Sequence, residues 1–87
     1  MHAVVVRVTL NDQEAAEGSL RQTVPQVSQA PGFVAGYWTR KGNAGLSMVI
    51  FDSEEDANRM SERVPSIVPA DVVTLEDVEV REVVAQA

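Results

Sequence analysis

Few residues in this chain can do chemistry, and their types restrict the options before any fold is considered. There is no cysteine, so thiolate catalysis and disulfides are excluded. The single histidine, His2, stands at the start of the chain and is expected to be a solvated terminal residue, so no Ser-His-Asp or Cys-His set is read here. Acidic residues fall in two groups. Asp52, Glu54, Glu55 and Asp56 lack the spacing of a calcium loop and suit the first turn of a helix, where carboxylates face the positive end of the dipole. Glu76, Asp77, Glu79 and Glu82 are interleaved with Val78 and Val80, the pattern of a solvated strand side. Gly42–Asn43–Ala44–Gly45 is too short for a phosphate-cradling loop and reads as hairpin chemistry. Neither a metal nor a cofactor is expected from these residues.

Charge and size narrow the partners. The chain has 87 residues and a formal net charge of −6. Its seven basic residues are scattered, with only Arg40 and Lys41 adjacent, so a nucleic-acid surface is not expected. The same balance disfavours anionic membranes. No segment approaches the roughly 20 apolar residues of a membrane span. The first residues lack a basic leader and meet Arg7 early, so no signal peptide is read and a cytoplasmic address is expected. A chain of this length is one domain, 1–87. It buries only about 60–65% of its unfolded surface, and a partner subunit is a common way to extend so thin a core.

The positioning elements follow from periodicity. Ala3 to Leu10 alternates, with Val4, Val6, Val8 and Leu10 on a wholly apolar face that should pack on a core. Asn11 is expected to cap a first helix with Glu14 in capping-box position. Ala16, Leu20, Val24 and Val27 form its stripe, and Pro25 should kink or end it near Val24, leaving a bent or loose last turn to about Gln29. Pro31–Gly32 stops that segment. Phe33–Arg40 reads as a second strand, 41–45 as a turn and Leu46–Phe51 as a third strand. Ser53 should cap a second helix with Asp56 as its partner; Ala57, Met60 and Val64 face inward, and Pro65 ends it. Val72 to Val84 holds one or two further β segments.

The order β-α-β-β-α-β is the ferredoxin-like arrangement, an α+β fold with a four-stranded antiparallel sheet and two helices on one face. If the all-apolar faces lie under the helices, the open face carries Val5, Arg7, Thr9, Ser47, Val49 and Phe51. Several of these are too apolar for solvent, so a symmetric homodimer through that face is expected.

The segments Pro31–Gly32–Phe33, Gly36–Tyr37–Trp38 and Phe51–Asp52–Ser53–Glu54–Glu55–Asp56–Ala57 resemble those of the dimeric α+β barrel superfamily, in particular its antibiotic-biosynthesis-monooxygenase-like small proteins. The resemblance runs from the first strand to the last. It implies one of several activities: cofactor-free oxygenation of aromatic polyketides, haem degradation, muconolactone-type isomerisation or small-molecule sensing. Haem degradation fits poorly, since the first strand has no Asn, the third ends in Phe51 rather than Trp, and 57–71 contain no His. Cofactor-free oxygenation implies groups that hold a substrate anion. Arg7, Tyr37, Trp38 and Ser47 are the candidates, with Phe51 as a further ligand-binding residue. In that role Arg7 would hold a phenolate or carboxylate, and Trp38 or Tyr37 would stack on an aromatic ring. Against this, Arg7 can pair with Glu79 or Glu82, and adjacent Tyr37 and Trp38 point to opposite faces. The reading carried forward is a small dimeric protein that binds a small aromatic ligand or serves as a non-catalytic dimer. A cofactor-independent monooxygenase-like enzyme is the alternative.

Overall fold

In the computed structural model, which describes Met1–Ala87 throughout, six elements run in the expected order: β1 (His2–Leu10), α1 (Gln13–Ser28), β2 (Phe33–Lys41), β3 (Ala44–Phe51), α2 (Glu54–Ile67) and β4 (Val73–Glu82). The strands form one sheet in the order β2-β3-β1-β4, with every neighbouring pair antiparallel. This is the ferredoxin-like α+β fold. No helix is long and apolar enough to cross a membrane.

The core lies between the sheet and the helices. Val4, Val6, Val49 and Phe51 from the central strands meet Val27 of α1 and Ala57, Met60 and Val64 of α2. Ala57 is fully buried, which brings α2 close to the sheet. Phe33 packs edge-on to Phe51, with ring centroids 6.3 Å apart.

Register corrects one expectation about facing. Val4 is opposite Val49, Val6 opposite Ser47 and His2 opposite Phe51, so Ser47, Val49 and Phe51 share the helix-covered face with the even residues of β1. The open face carries Val5, Arg7 and Thr9 with Leu46, Met48 and Ile50 instead. The reason is that both faces of β3 are apolar, so alternation alone leaves its phase free, and cross-strand pairing with β1 sets it.

Helix ends differ from expectation in two places. Asp12, not Asn11, caps α1: its carboxylate accepts from Ala15 N–H at 3.1 Å. Both Asn11 and Asp12 N–H donate to Val72 O, at 2.9 and 3.4 Å, and Asp12 is the residue in extended backbone one step before the helix, while the Asn11 side chain donates to Thr74 Oγ1 at 3.0 Å. Pro25 lies inside α1, which ends at Ser28, in keeping with the last turn expected to about Gln29, whereas Pro65 lies inside α2, which continues to Ile67 instead of ending there. Each proline sits in the last turns, where the single lost backbone bond is outweighed by burial of Val27 and Val64 nearby. Ser53 caps α2 as expected, accepting from Asp56 N–H at 3.1 Å. His2 is no solvated terminus: it is part of β1, its side chain is 18% exposed, and its Nε2 lies 3.2 Å from Glu54 Oε2. The β2–β3 turn is reduced to Gly42–Asn43, with Gly42 at φ 62°, a left-handed geometry suited to glycine.

Candidate functional site

The two helices cover the sheet unequally. α2 buries three residues against it, whereas α1 buries only Ala16 and Val27, near its two ends. Between those points α1 presents Ser19, Leu20 and Thr23, and the facing strands present Ser47 and Gly45. Leu20 apart, these side chains are short, and a chamber of about 400 Å³ is left between α1 and the sheet. Its floor is Val4, Val6, Val8 and Val49, and Met60 and Val64 of α2 close the far end. A sealed apolar void of that volume would cost on the order of 10 kcal/mol, comparable with the whole stability of a domain this small. The chamber is not sealed. Glu17 and Arg40, the only charged residues on its lining, are both exposed and mark a mouth between α1 and the end of β2.

The polar groups on the lining divide by whether the protein already uses them. Ser19 Oγ donates to Ala16 O at 2.8 Å, and Thr39 Oγ1 donates to Leu46 O at 2.6 Å. The hydroxyls of Ser47 and Thr23 make no hydrogen bond within the protein, so both are free to meet an occupant. At the mouth, Arg40 Nε donates to Glu17 Oε1 at 2.8 Å, and Arg40 Nη1 donates to Gln13 Oε1 at 3.2 Å and to Gly42 O at 3.3 Å. No charged side chain is buried anywhere in the chain.

The five residues singled out from sequence do not converge on this chamber. Trp38 and Ser47 line it. Trp38 is opposite Ser47 in the β2–β3 register, which puts the indole and the free hydroxyl side by side. The indole lies back over Gly36: a Cβ built there would be 2.7 Å from the ring atom Cη2. Tyr37 is opposite Met48 on the open face and is 62% exposed. Arg7 is on that face too, with Nη2 3.9 Å from Glu79 Oε1. Phe51 is on the helix side, but it is fully buried in the packed core. Sequence reasoning passed over Arg40 and Glu17 as site residues. The signal that was available is their order: Arg40 follows Trp38 by two and so shares its face.

Comparison with known proteins places the architecture. No family model matches the chain, and no curated protein matches it. Among solved structures, SnoaB, a cofactor-independent oxygenase from Streptomyces nogalater, is similar with a TM-score of 0.77 and 20% identity, over 98% of this chain and 94% of that one. The chain shares the ferredoxin-like α+β fold of that structure. A candidate antibiotic biosynthesis monooxygenase from Chloroflexus aurantiacus is similar with a TM-score of 0.69 and 12% identity, covering 100% of this chain and 97% of that one. A dimeric ferredoxin-like protein from an uncultured marine organism matches with a TM-score of 0.65 and 12% identity, over 100% and 98% of the two chains. The sequence resemblance to the antibiotic-biosynthesis-monooxygenase-like proteins and the structural similarity therefore agree on one architecture, spanning nearly the full length of each chain.

Proposed function

We propose that this protein is a homodimer whose subunits each bind a small, mainly apolar compound with an aromatic ring in the chamber beneath α1. The observation that carries the reading is the chamber itself: about 400 Å³, open at one end, with 15 of its 23 lining residues hydrophobic. That volume falls in the range of small-molecule sites, and a few convergent polar groups in an apolar wall are the usual means of orienting a ligand. Trp38 offers a stacking surface, and Ser47 and Thr23 offer unused hydroxyls.

The dimer reading is supported by the open sheet face. Tyr37, Leu46 and Met48 are exposed there, next to Ile50, and a contiguous apolar patch of this kind favours a second copy over water. On this reading Arg7 and Tyr37 serve the subunit contact rather than the ligand, and Phe51 supports the floor from within the core.

Catalysis is the second reading, favoured by the likeness to an oxygenase that uses no cofactor. Such a reaction needs a base and a cradle for the substrate anion. The chamber interior holds hydroxyls but no His, Lys or carboxylate; its only charged residues are at the mouth. Binding is therefore the reading preferred.

Native mass spectrometry on gently purified protein tests both parts. The expected result is a species at twice the 9.4 kDa chain mass that carries a reproducible adduct or accepts a hydroxyaromatic compound at one per subunit. A monomer, or a dimer that accepts no apolar aromatic compound, refutes it. Oxygen uptake on mixing with a compound that binds would move the reading to catalysis.

A further inference from the structure

The chamber carries charge only at its mouth. Arg40 is the only cation on its lining and Glu17 the only anion, and the two are paired. The pair is not deeply buried: the side chains are 43% and 56% exposed. Exchange of one carboxylate for another there carries little desolvation cost, and the existing pair contributes little stability. The guanidinium is also incompletely used. Its Nε and Nη1 donate to Glu17, Gln13 and Gly42, while Nη2 has no hydrogen-bond partner.

Its direction follows from the strand. Arg40 and Trp38 are two residues apart on β2, on the helix-covered face, and Arg40 is opposite Gly45 as Trp38 is opposite Ser47. Ser47 is short, and the side chain that covers Gly45 is the apolar Val8 from β1, itself part of the chamber lining. A ring stacked near Trp38 thus lies within the same channel as the guanidinium, which can bind a carboxylate through two parallel N–H groups.

We propose that Arg40 selects the ligand's acidic group: the occupant is an amphiphile whose aromatic or aliphatic body fills the chamber and whose single carboxylate or sulfonate replaces Glu17 on the guanidinium at the mouth. This rests on the reading that the chamber is a ligand site. Glu17 then acts as a surrogate anion that satisfies Arg40 when no ligand is present and competes with every acidic ligand that enters.

Two fluorescent probes separate the inference from the reading beneath it. Phenylnaphthylamine is neutral; anilinonaphthalene sulfonate has the same body and an added sulfonate. Binding of both is measured by fluorescence titration on the dimer of the wild type, Arg40→Gln and Glu17→Gln, with circular dichroism to verify the fold. Probe contacts are located by methyl NMR, through nuclear Overhauser effects to Val6 and Val49 in the chamber as against Met48 on the open face. The expected result is that the sulfonate binds more tightly than the neutral probe in the wild type. Arg40→Gln should remove roughly tenfold of the sulfonate's affinity, the scale of one charge-assisted hydrogen bond, and leave the neutral probe within about twofold. Glu17→Gln should strengthen the sulfonate by removing its competitor. If the neutral probe occupies the chamber and Arg40→Gln weakens both probes equally or neither, the role of Arg40 is overturned and the chamber stands. If neither probe reaches Val6 or Val49, the chamber reading fails and this inference fails with it.

Discussion

Gly36→Ala is a sharp test of how the chamber is kept open. The added methyl carbon would lie 2.7 Å from Cη2 and 2.8 Å from Cζ3 of Trp38, and 3.4 Å from Cε2 of Phe33. Carbon atoms rest at about 3.5–4.0 Å, so the indole has to move by about 1 Å. It cannot move into β2, to which it is attached, and the free volume is in the chamber. Overpacking of this kind costs about 1–3 kcal/mol. Replacing a strand glycine returns about 0.5–1 kcal/mol of chain entropy. The expected net loss is about 1 kcal/mol, seen as a fall of about 1 M in the urea midpoint for a domain of this size, read at one fixed protein concentration because the protein is taken to be a dimer. The larger effect should be on binding. The displaced ring occupies ligand space, and phenylnaphthylamine affinity should drop about tenfold, the equivalent of ~1.4 kcal/mol. Trp38 is the only tryptophan, so its emission reports the ring directly. An unchanged urea midpoint together with unchanged Trp38 emission and unchanged probe affinity would refute the reasoning, because it would mean that Gly36 is not what seats the indole.

Other substitutions separate core, cap and interface. Phe51→Ala, at a fully buried position, should cost about 3–5 kcal/mol in urea denaturation; a loss below 1 kcal/mol would contradict the packing described. Asp12→Ala should cost about 1 kcal/mol in the same experiment by removing the α1 cap. Asn11→Ala should cost less, since it loses an exposed side-chain bond to Thr74 and no cap; the reverse order would restore Asn11 as the cap. Met48→Glu places a charge in the middle of the open face and should convert the dimer to a folded monomer by light scattering with detection of mass; a persisting dimer would move the interface elsewhere.

Element order, the hairpin, the cap at Ser53 and the inward stripe of α2 were legible in the sequence because each rests on a local rule. Ser53 and Asp56 need only each other. Ala57, Met60 and Val64 need only the period of a helix. What was not legible depends on partners distant in the chain. Asn11 and Asp12 both satisfy the composition of a cap, and the distant partner is Thr74 of β4, whose hydroxyl accepts from the Asn11 side chain while Asp12 caps the helix. The phase of β3 is decided by β1 in the same way, with Val4 and Val6 choosing Val49 and Ser47 as opposites. Pro65 reads as a stop by the rule for a helix interior, yet it falls in a last turn, where one missing bond is tolerated. For the site, Trp38 and Ser47 were legible by type. Their grouping with Arg7 and Tyr37 was not, because strand alternation alone says which residues are apart and not which face is covered.

The misplacement of Ser47 carries information of its own. A serine on an otherwise apolar strand face suggests solvent, and that is why its face was first assigned to the outside. In the fold it points under the helices, where a packed core would demand a methyl-bearing residue and would charge a penalty for an unpaired hydroxyl. The penalty is absent because Ser47 borders the chamber, with Thr23 and Ser19 also on its lining. A run of small or hydroxylated residues at positions that register assigns to the core is thus the sequence trace of a cavity rather than of a surface. The same logic explains why the open face can be the more apolar of the two on β3. On the proposed reading, Leu46, Met48 and Ile50 supply the contact with a second copy, while Ser47 on the covered face borders the space proposed for a ligand. On that reading one strand serves both faces of the sheet, and its two alternating sets of residues differ because one set would exclude water by packing and the other would leave room.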